Sequence, residues 1–410
     1  MAADLIKEAL RNLRQHTGRS IATLFGIVWG VALVMLLVAW GTGMRDSLVE
    51  QASSGGRRML AFFPGRSSSG VGANAGGREI KLTMEDAALL KSQLPALDHT
   101  AAGAIRWGGI YVRYRTDFRR AVTFGVQPEI QPIMELAIAH GRFFSAQDMA
   151  LSRRVAVLGA ALAEKIFGQR SPVGERVEVS GVGYRVIGVL VRKGDQISSL
   201  GPPDDNKLFV PLSTYQSLIA GEDKIGFLAV QPHDISLHKD IAQQVRKVLG
   251  ARHGFAADDR DAIDVFDVVN FIDLFRNLTT AIRLFVSALG IVSLAIGGVG
   301  VMNILLLAVT ERSREIGLRK ALGATRRDIA TQFLAEALVM AALGGTVGMA
   351  LGWLLCQLAG TQGSVHIPQY LSGGIVAASV GLIGVVGITA GLWPALRAAR
   401  IDPVRALRFE

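Results

Sequence analysis

Seven histidines and one short acidic run are the residues of this chain most suited to metal binding or acid–base chemistry. The histidines are scattered, at positions 16, 99, 140, 233, 238, 253 and 366. His233 and His238 are five residues apart, so a helix would not place both side chains on one face. A calcium loop needs a central glycine and a final glutamate. Neither is present in the acidic run, which consists of Asp258, Asp259, Asp261, Asp264 and Asp267. We expect no metal site, and we interpret the run as a solvated face.

Motifs of nucleotide and hydrolase chemistry are missing as well. The sequence contains no G-x-x-x-x-G-K-[ST] phosphate loop, no H-E-x-x-H zinc motif and no G-x-S-x-G nucleophile turn. We therefore expect a chain that is not an enzyme and that binds no metal ion or cofactor of its own.

One strongly charged stretch lies between two long apolar stretches. It runs from Thr310 to Leu334 and reads TERSREIGLRKALGATRRDIATQFL. Good helix formers are followed by Gly323, a usual helix stop. Thr325 and Asp328 then have the spacing of a capping box, which predicts that a second helix begins there. The sequence therefore predicts two helices that meet at a tight corner.

The first of these two helices is amphipathic, because Ile316, Leu318 and Leu322 lie among Arg and Lys residues. One interpretation is a basic helix that lies on anionic lipid, so membrane lipid is an expected partner. The other is an apolar ridge that docks in the groove of a protein. Composition alone favours the lipid-surface interpretation over protein docking.

The elements around this stretch have the composition of a membrane protein. Only 19% of the residues are charged, against about 25% in soluble proteins. Charged residues are absent from 21–44, from 284–310 and from 337–396, and the last of these is interrupted by a polar segment at 361–370. A span needs about 20 apolar residues. We therefore predict four transmembrane helices.

The distribution of Arg and Lys predicts the orientation of these helices. Positive side chains cluster before the first span, between the second and third spans, and after the fourth span, whereas 361–370 contains none. Cytoplasmic loops carry the excess of Arg and Lys, so both termini are expected in the cytoplasm. The formal charge of +10 then reflects topology, and we expect no nucleic-acid partner.

The predicted fold is a membrane protein with four transmembrane α-helices and a large α+β periplasmic domain inserted between helices 1 and 2. The predicted segments are an amphipathic cytoplasmic segment (1–20), the first span (21–44), a periplasmic domain of two lobes (45–281), the second span (282–310), a cytoplasmic coupling helix and corner (311–328), the third span (329–360), a short periplasmic loop (361–370), the fourth span (371–394) and a cytoplasmic tail (395–410).

Local patterns in the periplasmic segment support its α+β class. Residues 175–191 alternate around a glycine-containing turn, which predicts a hairpin. Ser213 and Gln216 have the spacing of a capping box at the start of a helix. Ile241, Val245 and Leu249 mark one face of an amphipathic helix.

Glycines recur at four-residue spacing within the predicted spans. Because lipid provides no hydrophobic force between helices, close backbone contact over glycine can hold them together. No charged residue is expected well inside any span, which argues against a proton or ion relay. The glycines predicted to pack spans are Gly26, Gly30, Gly344, Gly348, Gly352, Gly387 and Gly391.

The amino-acid sequences of several segments resemble those of one protein family. ERSREIGLRKALGATRRDIATQFLAEAL and the tail GLWPALRAARIDPVRALR resemble signatures of the FtsX-like permeases of ABC transport systems. GVQPEIQPIMELAIAHGRFFSAQD, and VAVLGAALAEKIFG with SPVGERVEVSGVGYRVIGVL, resemble the MacB-type periplasmic core. The resemblance covers nearly the whole chain in the right order.

The resemblance implies a role for the charged corner. In this family the segment between the second and third spans contacts the ATPase, and ATP-driven motion passes through the spans to the periplasmic domain without carrying substrate across the membrane. Only about 20 residues precede the first span, so we expect the ATPase, with its ATP and Mg²⁺, to be a separate chain. The implied coupling residues are Glu315, Ile316, Gly317, Leu318, Arg319, Lys320, Ala321, Leu322 and Gly323.

The resemblance also implies a bacterial inner-membrane location and further partners. These are a second permease copy or a paralogue, a periplasmic adaptor and an outer-membrane channel, acting together in efflux. Two alternatives remain open, a lipoprotein-extraction permease and a signal transmitter that activates a periplasmic hydrolase.

Overall fold

The computed structural model describes residues 17–53, 55–68, 77–196, 198–220, 225–360 and 373–408. Most of the predicted N-terminal segment 1–20 and the whole predicted loop 361–370 lie outside these residues. The chain divides into two compact units. One contains Leu48–Arg276 and is called the sheet domain below; the other contains Met1–Ser47 and Asn277–Glu410 and is called the helical unit.

The described residues form twelve α-helices. They are α1 (Thr17–Ser53), α2 (Met84–Gln93), α3 (Ile130–Ile133), α4 (Ala146–Ala150), α5 (Ala160–Phe167), α6 (Leu212–Tyr215), α7 (His238–His253), α8 (Val268–Glu311), α9 (Ser313–Ala321), α10 (Arg326–Gly360), α11 (Gly373–Ala399) and α12 (Pro403–Arg408). Short 3-10 helices span Asp204–Asn206 and Ile235–Leu237, and a π-helical turn spans Gln216–Ala220.

The described part of the sheet domain contains ten strands. They are β1 (Leu60–Pro64), β2 (Leu97–Tyr114), β3 (Asp117–Val126), β4 (Ile138–Gly141), β5 (Val155–Leu158), β6 (Arg176–Val179), β7 (Val182–Leu190), β8 (Lys207–Pro211), β9 (Phe227–Pro232) and β10 (Ile263–Asp267). They form one sheet in the order β10-β1-β9-β2-β3-β8-β5-β7-β4, and β6 pairs with β2 and β7. The β3–β8 and β5–β7 pairs are parallel and the others are antiparallel. The α+β class is as predicted, whereas the division into two lobes stays a prediction.

Apolar clusters cover both faces of the sheet. One cluster includes Ile241, Val245 and Leu249 of α7, so the predicted helix face is the one that packs. The other includes Ile130 and Ile133 of α3. Burying both faces requires near-continuous apolar strands, as in the fully buried β8 and β9.

Turn residues set the limits of several elements. The predicted hairpin at 175–191 is present as β6 and β7, joined at Ser180 and Gly181, which both have positive φ. Helix α5 ends at Gly168, whose φ of 61° lies in the left-handed region that glycine tolerates best.

The predicted capping box at Ser213 and Gln216 is wrong. Helix α6 begins at Leu212, two residues earlier than a helix capped by Ser213 would, and its N-cap residue Pro211 provides no side-chain cap. The Ser213 hydroxyl instead donates to the carbonyl oxygen of Met149, 2.6 Å away. The hydroxyl that the local pattern assigned to the helix N-terminus therefore makes a tertiary hydrogen bond instead.

The helical unit contains the apolar helices. Within the described residues, three helices are long and apolar enough to cross a membrane, over Val268–Glu311, whose first nine residues belong to the sheet domain, Arg326–Leu358 and Ser379–Ala399. Helix α1 contains a shorter apolar stretch, Phe25–Gly41. The second, third and fourth predicted spans therefore correspond to long helices. The first predicted span, 21–44, lies within α1, and its membrane crossing is taken up below as a proposal.

Candidate coupling site

A sharp corner joins α8, α9 and α10. Arg312 separates α8 from α9, and Gly323, with φ of 104°, follows α9. Thr325 and Asp328 form the predicted capping box: the Thr325 amide and hydroxyl donate to Asp328 Oδ2 at 2.9 and 2.6 Å, and the Asp328 amide donates to Thr325 Oγ1 at 3.3 Å. The local sequence therefore specifies where α9 ends and α10 begins.

The inner side of α9 packs against the ends of the membrane helices. Ile316 is only 3% exposed and lies in a cluster with Phe333 of α10 and Ala398 of α11. Gly317 is buried, and a Cβ added to it would lie 2.7 Å from Ala406 Cβ of α12. These two predicted coupling residues therefore face the interior, so Ile316 is not part of an exposed ridge.

Two cations of α9 bind the neighbouring helices. Arg319 Nη1 donates to Gln332 Oε1 of α10 at 2.8 Å, and Arg319 Nη2 donates to Glu315 Oε1 at 2.6 Å. Lys320 Nζ donates to the carbonyl oxygens of Ala399 and Ile401 at 2.9 and 2.6 Å. Those carbonyls lie at the C-terminal end of α11, where helix carbonyls lack internal partners and attract positive charge. Helix α9 is thus tied to both α10 and α11.

A buried ion pair lies at the same corner. Arg312 Nη1 lies 3.6 Å from Glu336 Oε1, and Glu336 is 1% exposed. Glu336 lies two turns inside the predicted third span, so the expectation that no charge lies well inside a span needs correction here. The sequence did contain a signal for this ion pair, because Glu336 directly precedes a run of 60 residues without charge. A carboxylate at such a position needs a partner.

The outer side of α9 is apolar and exposed. Leu318 is 52% exposed and Leu322 is 80% exposed, and Val404 of α12 is exposed as well. Charged side chains of Arg314 and Glu315 are exposed beside them. Leu318 and Leu322 are thus exposed beside charged side chains, on a helix whose opposite side is held by contacts with other helices. This arrangement has the character of a protein interface.

The predicted packing glycines contact neighbouring helices of the same chain. An added Cβ would lie 3.2 Å from Gly297 Cα at Gly26, 2.7 Å from the Val28 carbonyl oxygen at Gly348, and 3.0 Å from Ala341 Cβ at Gly387. Similar contacts join Gly30 to Leu294, Gly352 to Ala32 and Met35, and Gly391 to Ala337, and Gly344 is buried. These contacts join α1 to α8 and α10, and α11 to α10.

The solvated acidic face that was expected in the sheet domain is present only in part: Asp258, Asp261 and Asp264 are exposed, whereas the side chains of Asp259 and Asp267 are not. Asp259 is buried and accepts hydrogen bonds from the Ser67 hydroxyl at 2.8 Å and from the Ser68 amide at 2.9 Å. Asp267 Oδ2 lies 2.7 Å from His238 Nδ1. No group of three His, Cys, Asp or Glu side chains suited to a metal ion occurs within the described residues.

A second charged network lies inside the sheet domain. Lys207 is fully buried and donates to Asp204 Oδ1 at 2.7 Å, while its Nζ lies 4.4 Å from the centre of the Phe124 ring. Burial by itself would raise the pKa of Asp204, but the ammonium groups of Lys207 and Lys193 hold that pKa below its usual range. Burial lowers the pKa of Lys207.

Comparison with known proteins assigns families to both parts of the chain. Residues 20–248 match the MacB-like periplasmic core domain, and residues 287–403 match the FtsX-like permease C-terminal family. The predicted resemblance is confirmed.

Curated relatives cover almost all of the chain. The macrolide export ATP-binding/permease protein MacB of Bdellovibrio bacteriovorus is 32% identical over 411 residues, which cover 99% of this chain and 61% of the relative. The protein of the same name from Azoarcus sp. is 34% identical over 409 residues, which cover 98% of this chain and 59% of the relative. The chain thus spans about three-fifths of the length of these relatives.

Solved structures match about half of this chain, at lower sequence identity than the curated relatives. The periplasmic region of MacB from Actinobacillus actinomycetemcomitans is 19% identical, with a TM-score of 0.44, and the match covers 56% of this chain and 98% of that one. The extracellular domain of the ABC-type transporter YknZ from Gram-positive bacteria is 22% identical, with a TM-score of 0.42, and the match covers 51% of this chain and 100% of that one.

Proposed function

Because the chain belongs to the family of ABC-transporter permeases with a MacB-like periplasmic core domain and an FtsX-like C-terminal region, we propose that it couples an ABC ATPase to its periplasmic domain. ATP hydrolysis moves the membrane helices, and this motion drives efflux of a substrate from the periplasm. The ATP and Mg²⁺ belong to the ATPase.

The two-sided character of α9 is the observation that carries this proposal. Its outer leucines, Leu318 and Leu322, are exposed, whereas Ile316 and Gly317 are buried against the membrane helices. A force applied to the leucines would therefore reach α10 through Gln332 and α11 through Ala399. A helix that only lay on lipid would not require this set of fixed contacts.

The chain connectivity provides a route for that force. Helix α8 is continuous from Val268 to Glu311, and it follows β10 without a loop. One end of α8 is thus continuous with the sheet domain, and its other end is one residue from α9. We propose that α8 transmits motion between the corner and the periplasmic domain, since a continuous helix resists bending better than a linker does.

The membrane arrangement proposed here has four spans, with both termini in the cytoplasm of a bacterial cell. The first of these spans is the apolar part of α1, Phe25–Gly41, and its assignment is supported by close contacts of Gly26 with α8 and of Gly348 with α1. We propose that two permease chains, identical or paralogous, work with an adaptor and an outer-membrane channel.

Substitution of Leu318 tests the proposed docking surface. Leu318→Asp places a charge on the exposed side of α9 without entering the corner, and burying that charge against a partner is costly. We expect the tagged variant, purified from native membranes, to retain less than about one tenth of the ATPase recovered with the wild type, because desolvating one unpaired charge costs more than about 1.4 kcal/mol.

Leu151→Asp is a matched control, because Leu151 is 59% exposed and lies in the sheet domain. This control should recover the wild-type amount of ATPase. Equal recovery of the ATPase with Leu318→Asp, or a wild-type chain that purifies without any ATPase, would contradict the coupling proposal.

The same purification distinguishes efflux from the two alternative functions, lipoprotein extraction and signalling to a hydrolase. A periplasmic adaptor that accompanies the ATPase would support efflux, and macrolides are the first substrates to test because the curated relatives are named for macrolide export. If a lipoprotein chaperone or a hydrolase is recovered instead of the adaptor, the coupling mechanism still applies, but the function is lipoprotein extraction or signalling and not efflux.

A further inference from the structure

One exposed face of the sheet carries aromatic and arginine side chains next to each other. On the hairpin of β2 and β3, Tyr111 lies opposite Arg120, and Arg113 lies opposite Phe118. Residues directly opposite each other in an antiparallel pair share a face. Tyr111 is 65% exposed and Phe118 is 54% exposed, and both arginines are exposed as well. Each aromatic ring therefore has an arginine as its cross-strand neighbour on a surface open to solvent.

The same face continues over β6 and β7. Arg113 lies opposite Glu178 of β6, and Arg176 of β6 lies opposite Arg185 of β7. The residues that alternate with them belong to the apolar core on the other side of these strands and include Val112, Val177, Val179 and Tyr184. The exposed set is called the arginine face below and consists of Tyr111, Arg113, Phe118, Arg120, Arg176, Glu178 and Arg185.

Contacts within the chain hold two of these arginines in place. Arg113 Nη2 donates to the Glu178 carboxylate. Arg120 Nε donates to the carbonyl oxygen of Gly108 at 2.7 Å, and its Nη2 donates to the same oxygen. A guanidinium has five N–H donors, and these contacts use one or two of them. Both guanidinium groups are thus fixed in position and retain donors for a carboxylate.

The neighbouring acids lie on the core side of the same strands. Asp117 lies opposite the buried Tyr114, and the Tyr114 hydroxyl donates to Glu175 Oε2 at 3.1 Å. On the arginine face itself, four arginines are present with one glutamate, and that glutamate is bound to Arg113. The net charge of the arginine face is therefore positive, and the face attracts acidic ligands.

The residue types of the arginine face indicate that its ligand is a protein. Neither 106–120 nor 176–185 contains a lysine, whereas proteins that bind anionic lipid or nucleic acid use Lys and Arg alike. Protein interfaces are enriched in aromatic residues and Arg and depleted in Lys, and Tyr and Arg are among the residues that contribute most to binding. Because the two guanidinium groups are already fixed, they lose little conformational freedom when a partner binds.

We propose that the arginine face docks a second protein through an acidic surface of that protein. Carboxylates of the partner pair with Arg113 and Arg120 in bidentate geometry, and an apolar side chain of the partner packs on Tyr111 and Phe118. The two arginines are diagonal neighbours, about 7–8 Å apart, and acids two residues apart on a strand have a similar spacing. The proposal rests on the proposed location of the sheet domain outside the cytoplasm and is independent of ATPase coupling.

Photo-cross-linking of the full chain in native membranes identifies the partner. A photo-reactive benzoylphenylalanine replaces Tyr111, and we expect it to become linked to a soluble protein whose linked peptide contains at least two Asp or Glu residues. The same group in place of Leu151, which is exposed and lies outside the arginine face, should not capture that protein. The captured protein, once purified, should bind the full chain in lipid nanodiscs.

Binding of the purified partner to variants in nanodiscs then measures both kinds of contact. Arg113→Glu combined with Arg120→Glu should weaken binding by about tenfold or more, and Lys in place of the acids of the linked peptide should restore part of that loss. Tyr111→Ser combined with Phe118→Ser should also weaken binding by about tenfold. Both rings are exposed, so this second variant decides the question even if the charge-reversal variant fails to fold.

Arg119→Glu is the matched control. It makes the same charge change in the residue next to Arg120, but Arg119 lies opposite the buried Val112 and so belongs to the other side of the hairpin. This variant should bind the partner as tightly as the wild type does. Equal weakening by Arg119→Glu and by the charge-reversal variant would overturn the proposal, because the effect would then reflect total charge and not the arginine face.

Labelling of Phe118→Cys with a membrane-impermeant maleimide tests the location separately, since the natural sequence has a single cysteine, the buried Cys356. Labelling from outside the cytoplasmic membrane is expected, and its absence would overturn the location and the docking proposal together. If labelling occurs, three results would overturn docking alone. These are the absence of any linked protein, a link to lipid, polysaccharide or a second copy of this chain, and unchanged partner binding in both double variants.

Discussion

The sheet domain and the helical unit bury different kinds of side chain. The sheet domain encloses Lys207 and Asp204 as a hydrogen-bonded pair between its strands and loops. The core of the helical unit contains apolar residues such as Ile27, Leu305 and Met340. In that unit the close helix contacts are made over glycines instead. Where a domain folds in water, a buried charged side chain can be stabilised by a network of hydrogen bonds and opposite charges. Where lipid surrounds the helices, close packing over small residues contributes more to their association.

The coupling corner combines both kinds of packing. It has its own apolar cluster, which contains Val309, Ile316 and Phe333, and it also has the ion pair of Arg312 with the buried Glu336. Backbone carbonyls take part in the polar contacts here, because those of Ala399 and Ile401 accept hydrogen bonds from Lys320. The comparison indicates that the helical unit is held together by close packing along its apolar helices and, in addition, by charged contacts at the corner that joins α8, α9 and α10.

Breaking the buried pair of the sheet domain should have the largest effect. Lys207→Ala leaves the buried Asp204 with Lys193, 3.0 Å away, as its remaining ion-pair partner, and we expect a loss of about 2–3 kcal/mol in the stability of the sheet domain. Hydrogen exchange of strands β8 and β3 in the full chain measures this loss. A double variant, Lys207→Met with Asp204→Asn, removes both charges and should recover much of the stability. An equal loss in both variants would mean that packing, not charge, holds the site.

Breaking a glycine contact tests the other half of the comparison. Gly348→Leu forces a side chain against the Val28 backbone and Val31, and we expect about 1–3 kcal/mol of destabilisation of the helical unit. Gly381→Leu is the matched control, because a Cβ added there meets nothing within 4 Å. Thermal unfolding in detergent compares the two variants. If both behave alike, the glycine contacts do not determine how α1 packs on α10.

A smaller effect on stability should depend on pH and should be confined to the sheet domain. Asp148 is buried and accepts hydrogen bonds from Arg142 at 2.6 Å and Arg153 at 3.1 Å. The Arg142 guanidinium holds the pKa of Asp148 well below its usual range. Because the pKa in the folded state is lowered, this stabilisation is present above the unfolded pKa, about 3.9, and is lost as the pH falls through the lower folded value.

Arg142→Ala measures that contribution. We expect a loss of about 1 kcal/mol at pH 7, since Arg142 is half exposed and Arg153 keeps a bond to Asp148. The difference from the wild type should stay nearly constant down to about pH 4 and shrink only as the pH falls further, through the lowered folded pKa of Asp148. Arg119→Ala, at an exposed position of β3, serves as the control for loss of a surface cation. Urea unfolding of the sheet domain, followed by hydrogen exchange from pH 7 down to about pH 2, measures the difference. A difference that does not shrink at the acid end of this range would contradict the assignment.

Several features could be predicted because their causes are local. The hairpin at 175–191 follows from alternation and a turn, and the corner at Gly323, Thr325 and Asp328 follows from capping chemistry within six residues. The long apolar helices follow from composition alone, because about 20 apolar residues in a row suit lipid better than water.

Other features depended on residues that are distant in the sequence. Ser213 has the spacing of a helix cap, but its hydroxyl binds Met149, 64 residues away. Asp259 looked solvent-exposed in an acidic run, but the chain at Ser67 covers it. Ile316 looked like part of an exposed ridge, and only the packing of α10 and α11 shows that it faces inward.

The sequence by itself determined the apolar helices, the capped corner and the family resemblance, because each depends on residue types within a short stretch. Tertiary structure alone decided which side of α9 is exposed, that Glu336 is buried beside Arg312, and that Tyr111 and Phe118 lie beside arginines on an exposed face. The physical reason is that burial and pairing are properties of the surface a segment meets, and that surface is supplied by distant parts of the chain.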